Sequence, residues 1–199
     1  MKKIYLIVSL LLLASVSSYS QNWDIDLLKN INAQNPGAPS AWKELSNSSY
    51  MFEVSIPVGA WLISKMGHDK KLEKRSYEIA GSLIINAIAA EGLKTLIHRE
   101  RPYQKYPLVV HAYDNSEKDN SFPSGHTSFA FATATSLSIQ FKKWWVVVPA
   151  YAWAASVGYS RLYLGEHYPT DVLAGAVVGA GSAWLSHWIN KKYFSKSKK

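Results

Sequence analysis

Five apolar segments follow one another along most of this chain of 199 residues, and short polar links separate them. None of the segments alternates apolar and polar residues as a half-buried strand does, and each is long enough for a helix. Their lengths are at or just below the roughly 17 to 25 residues with which a helix crosses a bilayer. The pattern predicts an all-α fold, a membrane-embedded bundle of about five to six helices. The segments lie near residues 50–66, 77–97, 127–141, 144–163 and 172–190.

The amino-terminal part of the chain differs from the rest. Residues 1–20 start with the positive pair Lys2 and Lys3, continue as an apolar run and end in small residues, as a secretory signal peptide does. An uncleaved first transmembrane helix is the alternative interpretation. Residues 21–49 are polar and rich in turn formers, and they include a short amphipathic helix. Residues 50–199 are predicted to form one helical domain that ends in a basic tail.

Basic residues concentrate in three links that an up-and-down bundle places on one face. Links rich in lysine and arginine mark the cytoplasmic side of membrane proteins. A formal net charge of +8 is also compatible with binding to nucleic acid. Because the positive charges concentrate on one face, however, the predicted partner is a membrane and not a nucleic acid. A soluble periplasmic bundle with solvated lysines is the alternative. The links are residues 65–75, residues 142–143 and the tail after Asn190.

The opposite face receives the links that carry chemically active residues, and the first of them runs from Lys94 to Pro102. The spacing of Lys94 and Arg101 is almost two helical turns, so both share one face, about 10 Å apart along the axis, while the helix persists. Pro102 disfavours helix at Arg101 and places its guanidinium at the helix exit. Two such cations can bind one oxyanion, Arg101 through a planar fork and Lys94 as a point charge. A basic helix end that complements the helix dipole is the ordinary alternative.

The second link runs from Ser121 to Ser128 and leads directly into an apolar segment. Proline and serine before an apolar run are helix-start signals. The free backbone amides of such a start, with Gly125 allowing close approach beside Ser124, form a cradle for a phosphate group. His126 is expected at the edge of this cradle, although an ordinary helix cap with a surface histidine has the same signature.

The third link runs from Ser160 to Asp171. Pro169 suits the first turn of a helix, so His167 precedes this helix and Asp171 lies in its opening turn. An aspartate placed there can accept a hydrogen bond from one imidazole nitrogen and leave the other free as a nucleophile or base. Arg161 adds a third cation. The alternative is an Asp171 that only complements the helix dipole.

Polar residues close to these links are expected to have local roles. His98, Arg99 and Glu100 are interpreted as surface partners of one another. The stretch from Asp114 to Asn120 is interpreted as an exposed, solvated loop that borders the site.

Taken together, the three links resemble the three-part signature of the type 2 phosphatidic acid phosphatase superfamily. The resemblance covers the chain from about residue 50 to about residue 190, and no signature position departs from it. The matching residues are Lys94 to Pro102, Pro123 to His126, Ser160-Arg161, His167 and Asp171.

The resemblance implies a reaction as well as a fold. It implies that His167 attacks phosphorus, that Asp171 orients and charges its imidazole, and that His126 protonates the leaving alkoxide. It also implies that no metal or other cofactor takes part, because fixed cations and a helix start stabilise the phosphoryl charge. The groups implied to bind the phosphoryl oxygens are Lys94, Arg101, Ser124, Gly125 and Arg161.

Both membrane lipid phosphatases and soluble periplasmic acid phosphatases belong to this superfamily. Short loops and the basic face favour a phosphorylated lipid substrate at the periplasmic side of a bacterial inner membrane. Lipid A, phosphatidylglycerol phosphate and undecaprenyl diphosphate are the candidates, and resemblance to compact bacterial members favours lipid A. The alternatives are a soluble nonspecific acid phosphatase, a vanadium-dependent haloperoxidase and a non-catalytic binder of anionic lipid.

Overall fold

The computed structural model describes residues 17–32, 40–113 and 119–194. Within these ranges it contains seven α-helices and no strand, which confirms the all-α prediction. Most of the predicted signal peptide lies outside the described residues. The helices are α1 (Ser17–Asn32), α2 (Ser40–Met66), α3 (Lys70–Leu96), α4 (Pro102–Lys105), α5 (Gly125–Phe141), α6 (Trp144–Tyr163) and α7 (Pro169–Ile189), and a π-helical turn follows at Asn190–Phe194.

Helix α5 is the centre of the bundle, because it contacts α2, α3, α6 and α7. Its inward positions are small: Ala130, Ala132 and Ala134 are each 0% exposed. Ala130 and Ala134 pack with residues of α6, and Ala132 packs with Ile79 and Leu83 of α3. Small side chains on a central helix let its neighbours approach from several sides at once.

The order of the helices brings the predicted functional links to one end of the bundle. Helices α3 and α6 end there, and α5 and α7 begin there. The basic links 65–75 and 142–143 join helices at the opposite end, as the sequence predicts. At that end Asp69 caps α3 by accepting hydrogen bonds from the backbone amides of Lys71 and Leu72.

Helix α2 begins at Ser40, well before the apolar segment near residue 50. Its first turns are polar, yet some of their side chains contact other helices at the functional end of the bundle. Ser46 is 1% exposed and accepts a hydrogen bond from Arg161, and Ser48 accepts one from Trp153 of α6. Hydropathy therefore places the start of this helix too late.

Close contact between α5 and α7 depends on two glycines. The small residues Gly175, Gly179 and Gly181 predict such a contact. A Cβ atom at Gly175 would lie 2.6 Å from the carbonyl oxygen of Ser124, and one at Gly179 would overlap the carbonyl oxygen of Ser128. At Gly181 a Cβ atom meets nothing within 4 Å, so Gly181 is not one of the close-approach positions.

The outer surface of the bundle is apolar. Helices α3 and α7 are long and apolar enough to cross a membrane, and only 28% of each apolar window is buried. Large apolar side chains on their outer faces are exposed, among them Ile84, Ile88, Val177 and Trp184. Such a surface suits lipid, since soluble proteins rarely expose large continuous apolar patches.

Candidate active site

Side chains from all three predicted links meet at the end of the bundle where α5 and α7 begin. Several of them are nearly inaccessible to solvent: Arg101 is 1% exposed, His167 1% and Asp171 0%. Buried charged groups have to be paired or hydrogen-bonded. The groups that pair with these three residues are therefore part of the candidate site.

His167 lies immediately before α7, and both of its ring nitrogens contact protein groups. Its Nδ1 is 2.8 Å from the backbone carbonyl oxygen of Ser121. Since a carbonyl oxygen only accepts, Nδ1 carries the proton and donates it to this oxygen. The lone pair is therefore on Nε2, which lies 3.4 Å from Nη1 of Arg101. Asp171, the predicted partner, has its Oδ2 3.6 Å from Nδ1, so the carbonyl of Ser121 is the nearer of the two acceptors.

The surroundings keep the imidazole of His167 uncharged. Burial lowers the pKa of His167 well below its ordinary value, and the positive charges of Arg101, Arg161 and Lys94 lower it further. Burial and then the charge of Arg161 also lower the pKa of His126, to about 2. A bound phosphate dianion would bring negative charge beside both rings and favour their protonation.

Arg101 does not lie on the helix that carries Lys94, because α3 ends soon after Lys94 and Arg101 occupies the extended link before α4. Its Nη1 donates to the backbone carbonyl of Glu166 at 3.2 Å. Its Nε and Nη2 donate to the carbonyl oxygen and the carboxylate of Asp119, at 3.1 and 2.5 Å. A guanidinium held on several edges has a fixed orientation beside His167.

Asp119 joins the two cations of the first link. One carboxylate oxygen accepts from Nζ of Lys94 and the other from Arg101. Partial burial opposes the charge, but the hydrogen bonds from Lys94 and Arg101 outweigh it and lower the pKa of Asp119. A carboxylate thus lies between the two cations that were predicted to bind an oxyanion. Asp119 is exposed, as predicted for this stretch, and its carboxylate in addition pairs with both cations.

Arg161 and Arg101 are brought side by side by Glu166, which is 2% exposed. Oε2 of Glu166 lies 3.5 Å from Nη1 of Arg101 and 3.9 Å from Nη2 of Arg161. Arg161 also donates to Oγ of Ser46 in α2, at 2.9 Å. Glu166 lies inside the third link, but no sequence pattern pointed to a role for it.

The start of α5 lies next to the start of α7. Ser124 precedes α5, and its backbone amide donates to the carbonyl oxygen of Asp171 at 3.0 Å. His126 is buried in the first turn and packs edge-on against the ring of Tyr50, with 4.5 Å between centroids. A Cβ atom at Gly125 would meet nothing within 4 Å, so the helix start has room for a ligand oxygen beside it.

Asp171 has a cationic neighbour, Arg99, which was predicted to be a surface residue. Nη1 of Arg99 lies 2.5 Å from Oδ1 of Asp171, and Nη2 lies 2.7 Å from Oδ2 of Asp24 in α1. The other oxygen of Asp171 accepts from the backbone amide of Tyr168 at 2.9 Å. The interpretation of Arg99 as a local surface partner is therefore wrong.

The chemistry available to this site follows from its charges. A neutral imidazole nitrogen beside two guanidinium groups is suited to attack the electrophilic phosphorus atom of an anionic phosphate group.

The third link alone supplies His167, Asp171, Arg161 and Glu166. No sequence pattern pointed to Asp24, because its contacts span 75 and 146 positions of the chain.

Known proteins that resemble this chain indicate its family and fold. The sequence profile of the PAP2 superfamily matches residues 77–195. Lipid A 4'-phosphatase of Bacteroides thetaiotaomicron is 42% identical over 104 residues, which are 50% of this chain and 46% of that protein. Undecaprenyl-diphosphatase of Sulfolobus acidocaldarius is 28% identical over 195 residues, 94% of this chain and 91% of that protein. The chain thus spans about half the length of the first relative and most of the second.

Two solved structures share the fold. The crystal structure of Aquifex aeolicus LpxE has a TM-score of 0.66 and 24% identity, and the match covers 83% of this chain and 95% of that one. A transmembrane PAP2-type phosphatidylglycerolphosphate phosphatase from Bacillus subtilis has a TM-score of 0.70 and 22% identity, with 98% of both chains covered. At these identities the likeness establishes the fold alone.

Proposed function

The chain belongs to the PAP2 superfamily, and we propose that it is a membrane phosphatase that hydrolyses a phosphorylated lipid through a phosphohistidine at His167. One observation carries this proposal: Nδ1 of the buried His167 is engaged by the carbonyl of Ser121, so the lone pair of Nε2 lies beside the guanidinium of Arg101. The relatives named as lipid A 4'-phosphatase and undecaprenyl-diphosphatase support a lipid substrate.

The proposed reaction has two steps. In the first, Nε2 of His167 attacks phosphorus, the P–O bond to the lipid breaks, and His126 donates a proton to the departing oxygen. In the second, water attacks phosphorus, His126 accepts its proton, and the N–P bond breaks to release inorganic phosphate. Asp171 stabilises the positive charge on the phosphorylated imidazole.

Positioning and charge stabilisation supply most of the catalysis in phosphoryl transfer. Arg101, Arg161 and Lys94 are the cations for the phosphoryl oxygens, and the backbone at Gly125 adds hydrogen-bond donors. These groups take the part that a metal ion plays in other phosphatases, so the proposed reaction is metal-independent. The carboxylate of Asp119 has to move away from Lys94 and Arg101, or share them, when a phosphate group binds.

The site is proposed to face the periplasm. The basic links lie at the opposite end of the bundle from His167, and lysine-rich links stay on the cytoplasmic side. Exposed Trp144, Trp145 and Trp188 lie close to those links, where aromatic side chains anchor proteins at a membrane interface. A phosphorylated lipid headgroup in the outer leaflet would then reach the site directly.

The test of this function is phosphate release by the detergent-purified protein in the presence of a metal chelator. The substrates are lipid A, phosphatidylglycerol phosphate, undecaprenyl diphosphate and a water-soluble aryl phosphate. We expect hydrolysis of at least one lipid at a higher kcat/KM than the aryl ester, with lipid A first, because lipid A 4'-phosphatase is a 42% identical relative.

Other outcomes of the substrate panel point to the alternatives. Equal or faster turnover of the aryl ester would assign the protein to the nonspecific acid phosphatases. Halide oxidation that depends on added vanadate would indicate a haloperoxidase. Lipid binding without any turnover would contradict the proposed function.

Replacing Arg101 with lysine tests the guanidinium fork. Arg101→Lys keeps the charge but cannot contact Asp119, Glu166 and the phosphoryl group together, so we expect kcat/KM to fall about 10²- to 10³-fold. The measurement is steady-state phosphate release, with circular dichroism to verify the fold. Arg75→Lys is the matched control, because Arg75 packs on Phe141 at the other end of the bundle. Near-normal activity of Arg101→Lys would mean that the guanidinium of Arg101 has no role in the reaction.

A further inference from the structure

We propose that Asp24 and Arg99 are positioning residues that hold the carboxylate of Asp171 beside His167. Their link to the site makes α1 part of the catalytic unit, although α1 lies outside the region matched by the superfamily profile, residues 77–195. This inference rests on the proposed function, since it concerns the residue that orients the nucleophile.

Arg99 is held between two buried carboxylates. Nη1 contacts Asp171 at 2.5 Å and Nη2 contacts Asp24 at 2.7 Å, and both carboxylate side chains are 1% exposed or less. The guanidinium also lies over the ring of Tyr168, 3.9 Å from its centroid. With one face stacked and two edges paired, Arg99 presents Nη1 to Asp171 in a fixed direction.

Asp24 provides the second fixed point of this arrangement. Its Oδ1 accepts from the backbone amide of Thr170 at 3.0 Å, and its Oδ2 accepts from the hydroxyl of Thr170 at 2.5 Å. Thr170 lies in the first turn of α7, whose backbone amides have no partner within the helix. A carboxylate from α1 therefore caps the helix that carries Asp171, and the positive end of the helix dipole stabilises its charge.

Charge balance explains why Arg99 is needed between the two carboxylates. Asp24 and Asp171 are buried near each other, and two carboxylates without a cation between them would favour protonation of one. Arg99 supplies that cation, and the carboxylates of Asp171 and Asp24 raise the pKa of Arg99 even though burial opposes its charge. An ionised Asp171 is the form that can stabilise a positively charged imidazole at His167.

Helix α1 is anchored well enough to act as a support. Its Ile25 and Leu28 are 5% and 0% exposed and belong to the same apolar cluster as Tyr168 and Leu162. At its end Asn32 donates to the carbonyl oxygens of His111 and Tyr163, both at 3.0 Å. These contacts fix the position of Asp24 relative to the start of α7.

The test is the steady-state kinetics of Asp24→Asn and Arg99→Lys on the best lipid substrate. Because Asp171 would lose its fixed partner while the phosphate-binding cations stay in place, we expect kcat to fall about ten- to hundredfold and KM to change by less than about twofold. The kcat of the double variant should be only slightly lower than that of Arg99→Lys alone, since both substitutions disrupt the same set of contacts around Asp171. Asp26→Asn is the control, because Asp26 lies on α1 with a side chain that is 68% exposed.

Chemical rescue separates positioning from a loss of folding. Arg99 lines a cavity of about 360 Å³ together with His98, Lys105 and Tyr106, which is large enough to admit a free guanidinium ion. Millimolar guanidinium is expected to restore part of the kcat of Arg99→Ala and to leave Asp26→Asn unchanged. Methylammonium, which lacks the planar fork, should restore less.

The results discriminate between failure of this inference and failure of the proposed function. If turnover in the parent protein depends on His167 while Asp24→Asn and Arg99→Lys keep normal kcat, the positioning role is refuted. A fall in activity that matches the loss of folded protein, with no response to guanidinium, refutes it as well. Turnover that survives His167→Ala would instead reject the proposed function, and this is measured in the same assay.

Discussion

Replacement of His167 with alanine is expected to lower phosphate release by a factor of about 10⁴ or more. The variant lacks the nitrogen that forms the covalent bond to phosphorus, and loss of a nucleophile is among the largest single effects in enzyme catalysis. The protein should still bind the lipid, because Arg101, Arg161 and Lys94 are unchanged. The measurement is phosphate release under single-turnover conditions, with lipid binding determined separately.

The covalent intermediate itself can be detected. Rapid quenching of the parent protein with a ³²P-labelled substrate should trap a label that is stable in base and released in acid, as expected of a phosphorus–nitrogen bond. His126→Ala should accumulate this label from an aryl phosphate, because a good leaving group needs no proton but the attacking water still needs a base. Label that persists in His167→Ala would place the nucleophile elsewhere.

A matched exchange at the same end of the bundle controls for general effects. His98 is exposed and has no part in the proposed reaction, so His98→Ala should keep the activity of the parent protein. Comparable losses in His98→Ala and His167→Ala would mean that the substitutions act on folding and not on chemistry.

The three links could be predicted from the sequence because each is a short local pattern. A helix start is recognisable from Pro169 and Asp171, and the position of His167 just before it follows directly. The alternation of helix direction then brings the links to one end without any knowledge of side-chain contacts. The structure agrees on these points and adds that the backbone of Ser121, which has no sequence signature, is the nearest partner of His167.

The supporting contacts could not be predicted, because they join distant parts of the chain. Arg99 and Asp24 are 75 positions apart, and Thr170 and Asp24 are 146 apart. Their residue types are common on protein surfaces, where they carry no sign of burial. The exposure of Asp119 was predicted correctly, but the composition of its loop did not reveal that its carboxylate pairs with Lys94 and Arg101.

The distribution of polarity explains why hydropathy alone gave an ambiguous answer about the membrane. The mean hydropathy of −0.10 is low for an integral protein. The described helices, however, keep small polar side chains inside, as in the contact between Ser82 and Ser136 at 2.6 Å and that between Asn86 and Ser128 at 3.1 Å. Many of their large apolar residues, such as Ile88 and Val177, face outward, so an average over the sequence hides an apolar surface.

Replacement of Gly179 with alanine is expected to be the most destabilising change far from the chemistry. The added Cβ atom would overlap the carbonyl oxygen of Ser128 and lie 2.8 Å from the backbone amide of Ala132. Backbone atoms of a central helix cannot turn away as a side chain can, so α7 has to move outward from α5. We expect a loss of about 2 to 4 kcal/mol in the free energy of unfolding, measured as a fall of roughly 5 to 10 °C in the detergent melting temperature.

The same displacement should reach the active site, because α7 begins beside His167 and carries Asp171, while α5 carries His126. Gly179→Ala is therefore expected to lower kcat as well as stability, even below its melting temperature. Gly181→Ala is the matched control: the residue is exposed on the same helix, its added Cβ atom meets nothing within 4 Å, and alanine raises helix propensity by up to about 1 kcal/mol. If Gly179→Ala and Gly181→Ala melted at the same temperature, the tight α5–α7 contact would not exist in the folded protein. The geometry of His126 and His167 would then not depend on that contact.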